Sequence, residues 1–314
     1  MIRPDLSDEV AGALAAGRPV VALESTIVSH GLPWPRNLEL AQEVAREVRA
    51  GAAVPATVAV IDGRLRAGLD AAALERLARG IGVAKLSRAD LAVCMAEGRT
   101  GATTVAATMI AAARAGIDVF ATGGIGGVHR GAEASFDVSA DLRELAQSPV
   151  TVVASGAKAI LDLPKTLEVL ETLGVPVLAV GQDAFPAFWA RDSGLAAPLR
   201  MDDPAAIARA HLARGALGLA GGQLVANPIP AEAEIPLAEL APLIARAEAE
   251  VAAEGVTGKA VTPALLDRLR ALTEGRTLDA NAALVRANAR LGAAIAQEIA
   301  AARAGGAKPP APPL

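Results

Sequence analysis

Five glycines fall within the ten residues Thr122-Gly-Gly-Ile-Gly-Gly-Val-His-Arg-Gly131, directly after the apolar run Gly116-Ile-Asp-Val-Phe-Ala121. Glycines at the end of a strand let backbone N–H groups close on an anion, because no Cβ holds the ligand away. His129, Arg130, Asp137, Asp141 and Lys158 follow in quick succession, in a chain that is 53% hydrophobic and whose packing does not call for them. Two nucleotide templates are excluded. After Gly124-Ile-Gly126 the third glycine of the dinucleotide fingerprint would have to stand at His129, and no Gly-x-x-x-x-Gly-Lys-Ser/Thr occurs. His129, Asp137 and Asp141 form the best metal or acid–base cluster. A single aspartate with bound waters suits Mg²⁺ or Mn²⁺, which keep most of their hydration. With His30, His129 and His211 as the histidines and Cys94 as the cysteine, no zinc-type donor set is present. If this piece is helical, the i,i+4 spacing puts Asp137 and Asp141 on one face. Alternatively, Ser139 or Asp141 caps a helix that runs to Gln147.

Other candidates sit at the ends of apolar runs. Glu24 follows Pro19-Val-Val-Ala-Leu23, and the carboxyl ends of strands are where α/β sheets bind ligands. Apolar flanks suit this carboxyl to general acid–base work; the alternative is a solvated or helix-capping glutamate. Lys158 stands in Ala154-Ser-Gly-Ala-Lys-Ala-Ile-Leu161. Desolvation there would leave a neutral, nucleophilic amine able to form a Schiff base with a sugar carbonyl, against the alternative of a lysine snorkelling from a helix. Lys85, after Gly82-Val-Ala84, suits phosphate as a point charge at a strand end, or is a surface lysine. Gly101-Ala-Thr-Thr-Val105 opens a helix, as an oxyanion or phosphate cradle, as an ordinary threonine cap, or as both. Asn227, in Asn227-Pro-Ile-Pro230, would bring an amide to the same cleft or mark a rigid loop exit. Asn281 falls in a helix, where a buried amide needs a partner.

The elements that must position these residues alternate. Strands are expected over Pro19–Leu23, Ala56–Ile61 (closed by the turn pair Asp62-Gly63), Ile117–Ala121, Val150–Ala154, Gly174–Val180 and Leu224–Ala226. Helices are expected over Arg36–Ala50, Thr103–Arg114 and Pro164–Leu173. This rhythm predicts a three-layer α/β/α fold with a central mixed, largely parallel sheet. From Pro236 to Ala304 the pattern is helical, broken at Gly255, Gly258, Pro263 and Gly275. No linker divides the chain, so residues 1–304 are expected to form one catalytic domain, with 305–314 a disordered proline-rich tail. Aromatic residues are 2% of the chain, tyrosine is absent and the net charge is −4, which argues against a nucleic-acid polymer as partner. No apolar run reaches a membrane-spanning length, no apolar leader follows Met1, and a single cysteine excludes an internal disulfide framework. A soluble cytoplasmic protein is the expectation.

Taken together, several motifs resemble one family, the pseudouridine-5′-phosphate glycosidases or indigoidine synthase A-like proteins. They are Val21-Ala-Leu-Glu-Ser-Thr-Ile-Val-Ser-His-Gly31, Gly51-Ala-Ala-Val-Pro-Ala-Thr57, Lys85-Leu-Ser-Arg88, Gly101-Ala-Thr-Thr-Val-Ala106, the glycine stretch from Val119 to Glu133, Phe136-Asp-Val-Ser-Ala-Asp-Leu142, Ser155-Gly-Ala-Lys-Ala-Ile-Leu-Asp162 and Val225-Ala-Asn-Pro-Ile-Pro230. The resemblance spans about residues 10 to 300. It implies that Lys158 is the covalent lysine and Glu24 the proton donor. Lys85, Val105, Ser139, Ala140 and Asp141 would contact substrate, and Asp137 would ligate one Mn²⁺ per subunit. His129 would belong to the active-site loop, with Asn281 a further active-site amide. The implied reaction is reversible cleavage of the C–C glycosidic bond of pseudouridine 5′-phosphate to uracil and ribose 5-phosphate, in a homotrimer. A Schiff-base aldolase or isomerase of sugar phosphates, or a non-catalytic sugar-phosphate-binding regulator, would use many of the same residues. One departure from the family pattern, Pro164-Lys165, would shift the start of the helix that follows.

Overall fold

The computed structural model describes residues 2–256 and 261–305. The Gly258 break and the tail from residue 306 onward lie outside the described residues. The chain begins with β1 (Asp5–Leu6), α1 (Asp8–Ala15), β2 (Val20–Leu23), α2 (Thr26–Ser29) and α3 (Arg36–Ala50). Then come β3 (Val54–Ile61), β4 (Arg64–Ala67), α4 (Ala71–Ala78), β5 (Ala84–Leu86), α5 (Leu91–Ala96) and β6 (Gly101–Thr103). The middle holds α6 (Val105–Ala115), β7 (Val119–Ala121), α7 (Ala132–Ser135), α8 (Ala140–Leu145), β8 (Thr151–Ala154) and α9 (Leu163–Thr172). After β9 (Val177–Ala179), β10 (Leu199–Arg200), α10 (Pro204–Ala216) and β11 (Gln223–Ala226), the chain ends in α11 (Leu237–Ala253), α12 (Val261–Leu272) and α13 (Arg276–Ala304).

The strands form one mixed, mostly parallel sheet in the order β1-β4-β3-β2-β7-β8-β11-β9-β10, with β6 also paired to β3 and β5 to β6. Only β3 with β4 and β3 with β6 pair antiparallel among these strands. Helices cover both faces, giving the expected three-layer α/β/α architecture. β2, β8 and β11 are buried at every residue, as strands covered on both faces are; apart from Thr151 and Gln223 at the heads of β8 and β11 they consist of Val, Leu and Ala. The β3–β4 hairpin turns on Asp62 (φ 49°) and Gly63 (φ 74°), the two left-handed residues that a tight hairpin of matching twist requires. α13 lies across the middle of the sheet. A Cβ at Gly292 would stand 3.2 Å from the Ala121 Cβ, so the helix rests closely on β7.

Several expectations change at the edges. Gly101–Thr103 is a strand, and the helix starts only at Val105, with the Thr104 hydroxyl accepting from Ala107 N as its cap. A Cβ at Gly101 would come within 2.5 Å of the Leu86 side chain, so glycine is what allows β6 to lie against β5. Lys85 therefore sits within β5 rather than at a strand end. Asp137 and Asp141 do not share a helical face. Phe136 (φ 54°) ends α7, and α8 begins only at Ala140, capped by the Ser139 hydroxyl. The Pro164 departure is harmless: it occupies the first turn of α9 behind the Asp162 cap, where a missing N–H costs no helical bond.

Candidate active site

β2, β7, β8 and β11 are consecutive, parallel neighbours, so their carboxyl ends share one edge. Glu24 follows β2, Thr122 follows β7, Ser155 follows β8 and Asn227 follows β11. Above this edge opens a cavity of about 1330 Å³. Glu24, Lys85, Val105, His129, Asp137, Ser139, Ala140, Asp141, Lys158 and Asn281 all line it. Residues spread over most of the chain thus meet in one cleft at the place where α/β sheets bind ligands.

The Glu24 carboxylate is held from both sides. Thr26 Oγ donates to Oε2 and Thr122 Oγ to Oε1. Beneath it the buried Ser25 ties β2 to its neighbours, donating to Val58 O at 2.6 Å and accepting from Thr103 N at 2.9 Å. The carboxyl therefore enters the cavity in a set orientation. Lys158 is carried by a tight turn. Its N–H donates to Ile125 O at 3.1 Å, and Gly156 (φ 77°) precedes it where a Cβ would strike Pro186 O at 2.2 Å. Lys158 is half-buried, and among the described residues no carboxylate pairs with its ammonium.

The glycine loop has a different use from the anion cradle expected of it. None of Gly123, Gly124, Gly126 and Gly127 has a left-handed φ. Instead, a Cβ on Gly126 would lie 2.3 Å from Ser139 Oγ, and one on Gly124 would lie 2.6 Å from the Phe188 ring. The loop is glycine because other walls of the site press against it. Its Gly126 N–H is taken by Asp141, whose Oδ2 accepts it at 2.8 Å while Oδ1 accepts from Ala106 N at 2.9 Å. Asp141 is only 6% exposed. Its carboxylate braces the loop against the start of α6, a role that the expectation of substrate contact did not contain.

Lys85 and Arg88 bring positive charge to the cavity wall. Arg88 is paired with the buried Glu144, which also accepts from the Ser148 hydroxyl. His30 lines the same cavity. Burial, reinforced by the nearby charge of Lys85, holds its imidazole below the ordinary value, although a hydrogen bond with the Val83 backbone opposes this. The ring is accordingly neutral near pH 7. Asn281 accepts from Trp189 Nε1 at 2.8 Å, which answers the question of its partner. Asn227 does not line the cavity; its amide donates to Asn288 Oδ1 at 2.9 Å. Thr26, Thr122, His30, Arg88 and Trp189 were not singled out from the sequence. Thr26 and His30 fall within the motif around Glu24, Arg88 within the Lys85-Leu-Ser-Arg88 run and Thr122 at the head of the glycine stretch, whereas no motif contains Trp189.

Asp137 is the candidate metal ligand. Its side chain is 44% exposed, and His129 Nδ1 lies 4.0 Å from its Oδ2. Among the described residues no group of three or more His, Cys, Asp or Glu could hold a metal ion. This donor set fits a largely hydrated hard cation and does not fit a closed protein cage.

Fold and site together define an α/β protein that gathers a lysine, a carboxylate and cationic groups over the carboxyl edge of a parallel sheet. The chain belongs to the indigoidine synthase A-like protein family, whose model matches residues 9–298. It is 69% identical over 293 residues to the pseudouridine-5′-phosphate glycosidase of Jannaschia sp. (strain CCS1), covering 93% of this chain and 97% of that one. The protein of the same name from Paracoccus denitrificans (strain Pd 1222) is 69% identical over 297 residues, covering 94% and 98%. Among solved structures, the prealnumycin C-glycosynthase AlnA in complex with ribulose 5-phosphate superposes with a TM-score of 0.90 at 39% identity, covering 97% of this chain and 99% of that one. An indigoidine synthase A-like protein from Thermotoga maritima MSB8 gives 0.86 at 36% identity, covering 95% and 97%. Among the described residues no helix is long and apolar enough to cross a membrane.

Proposed function

We propose that this protein reversibly cleaves the C–C glycosidic bond of pseudouridine 5′-phosphate, giving uracil and ribose 5-phosphate. The observation that carries the reading is the convergence of Glu24, Lys158 and Lys85 on one cavity, in a chain so similar to proteins of that name. The leaving atom is C5 of uracil, a poor carbanion, so protonating an oxygen between two carboxylates, as ordinary glycosidases do, does not suffice. An amine supplies the missing electron sink. Lys158 Nζ bonds to C1′ as the bond from C1′ to the ribose ring oxygen breaks, and the proton shed by the new ammonium goes to that oxygen, which becomes the C4′ hydroxyl. The nitrogen lone pair then forms the C1′=N bond while the C1′–C5 bond breaks. The electron pair of that bond passes to C5, which takes a proton from Glu24. Water then attacks C1′ and returns the amine as ribose 5-phosphate leaves.

Lys85 holds the phosphate, with Arg88 in the same wall, and the fixed anchor reduces the entropy cost of positioning an open-chain sugar. Val105, Ser139 and Ala140 shape the wall between the phosphate and the base, with His129 and Asn281 in the loop and helix that close the site. Asp137 would hold a hydrated Mn²⁺, which supplies positive charge that orders water when bound. The likeness to a C-glycosynthase in complex with ribulose 5-phosphate supports C-glycoside chemistry. The reading extends to a cytoplasmic homotrimer; the buried, free Cys94 is in keeping with a reducing compartment, and the mass in solution tests the trimer. Incubation with pseudouridine 5′-phosphate and chromatography for free uracil tests the activity: uracil release supports it, and an intact substrate with folded protein refutes it.

A further inference from the structure

Asn288 stands fully buried in the middle of α13, below the cavity. Its Nδ2 donates to Thr122 O at 2.7 Å and to Gly123 O at 3.3 Å, and lies 3.2 Å from Ser155 Oγ. Its Oδ1 accepts from Asn227 Nδ2 at 2.9 Å and lies 3.4 Å from the same Ser155 hydroxyl. One side chain thus spans the ends of β7, β8 and β11, where the sheet ladder gives out and the strands part to form the cleft. Two of those ends lead directly to the chemistry. Thr122, whose carbonyl Asn288 holds, donates its hydroxyl to the Glu24 carboxylate. Ser155 opens the turn that delivers Lys158, and its own N–H donates to Gly123 O at 2.8 Å.

The helix that carries Asn288 is built for this purpose along one face. Asn281, Val285, Asn288 and Gly292 recur at helical spacing. Asn281 and Val285 line the cavity, and the bare backbone at Gly292 lets α13 settle on β7. A buried amide keeps all of its partners only at one spacing of the segments that supply them.

We propose that Asn288 is a positioning residue for the reaction: it fixes the strand end that orients Glu24 and the turn that carries Lys158 in a single register, and so sets the separation of proton donor and amine. This inference rests on the glycosidase reading above. Asn288→Asp keeps the shape but turns an acceptor toward two carbonyls. Ser155→Ala and Asn227→Ala each remove one partner and spare the rest. Full-length proteins are compared by thermal melt, by uracil release from pseudouridine 5′-phosphate, and by amide hydrogen exchange in peptides spanning 122–128 and 155–160.

Folded Asn288→Asp should lose about 10- to 100-fold in kcat, in line with a misplacement of about 1 Å, with KM within about threefold of the parent and faster exchange in both peptides. Ser155→Ala and Asn227→Ala should show smaller losses with the same split, and they carry the test if Asn288→Asp does not fold. Folded variants with parental kcat and exchange, or with only a lowered melting temperature, would overturn the inference. A parent protein that releases no uracil, while the variants still exchange faster in these peptides, would defeat the glycosidase reading and leave the bracing by Asn288 standing.

Discussion

Replacing Asp141 by asparagine separates a bracing carboxylate from one reserved for substrate. Asp141 accepts from Ala106 N at 2.9 Å and from Gly126 N at 2.8 Å, and is 6% exposed. Asparagine keeps one acceptor and turns an NH₂ toward the other N–H. The lost bond to a charged acceptor is worth about 1.5–3 kcal/mol, and the buried N–H left facing a donor costs about 1–3 kcal/mol. Relaxation of the glycine loop recovers part of this, so a net loss of about 2–5 kcal/mol follows. An unfolding entropy of about 2.1 cal/mol/K per residue makes 1 kcal/mol worth roughly 1.5 °C in a chain of this length, so the melting temperature should fall by about 3–8 °C. Because the moving part is the loop between β7 and His129, kcat should fall too. Scanning calorimetry without ligand is the assay. A melting temperature within about 1 °C of the parent, with activity lost, would refute the bracing role and restore Asp141 to substrate binding alone.

Three further outcomes are expected. Glu24→Gln should lose about 10²- to 10⁴-fold in kcat, the usual contribution of a positioned acid, while isothermal titration still finds substrate binding; retained turnover would remove Glu24 as the acid. Burial alone would raise the Asp118 carboxyl, but hydrogen bonds from His211 and Arg303 outweigh it and hold it below the usual range. The stability gained is therefore present above the unfolded value of about 3.9 and lost as pH falls through the lower folded value. Arg303→Met should be less stable than the parent by about 1 kcal/mol or less near pH 7, Arg303 being half exposed. That gap should narrow in urea melts as the pH is lowered progressively below about 3.9, and a gap that stays constant down the acid series would contradict this. Chelation should lower activity and added Mn²⁺ restore it, while Asp137→Asn should abolish Mn²⁺ binding in calorimetry and cost under about 0.5 kcal/mol of metal-free stability; undiminished Mn²⁺ binding by that variant would exclude Asp137.

The central frame was legible because its elements are long or strongly apolar. The helix expected over Arg36–Ala50 has those bounds in the structure, and the buried strands β2, β7 and β8 differ from expectation by a residue or two at one end. The short strands β1, β4, β5, β6 and β10 were not, since two to four residues carry no readable period. That is why the sequence pattern points to a strand end at Lys85 and a helix start at Gly101, where the structure has β5 and β6. The left-handed Phe136 that ends α7 and leaves Asp137 in the segment before α8 makes no mark in the sequence, since phenylalanine rarely adopts that conformation. The candidate residues themselves were legible through motif and strand-end position, and Glu24, Lys85, Val105, His129, Asp137, Ser139, Ala140, Asp141, Lys158 and Asn281 line one cavity, whereas Asn227 does not. What they do to each other was not legible. Whether the amides of Asn227 and Asn281 face the cleft or a partner, and whether Asp141 faces substrate or backbone, depends on segments far away in the chain.

The account turns on Lys158 as the residue that bonds to the sugar. Borohydride reduction in the presence of ribose 5-phosphate, followed by peptide mass spectrometry, tests this most directly. The expected result is the added mass of the reduced sugar on the peptide that holds Lys158, with no labelling after Lys158→Ala. Labelling at Lys85 instead, or uracil release undiminished in Lys158→Ala, would contradict it.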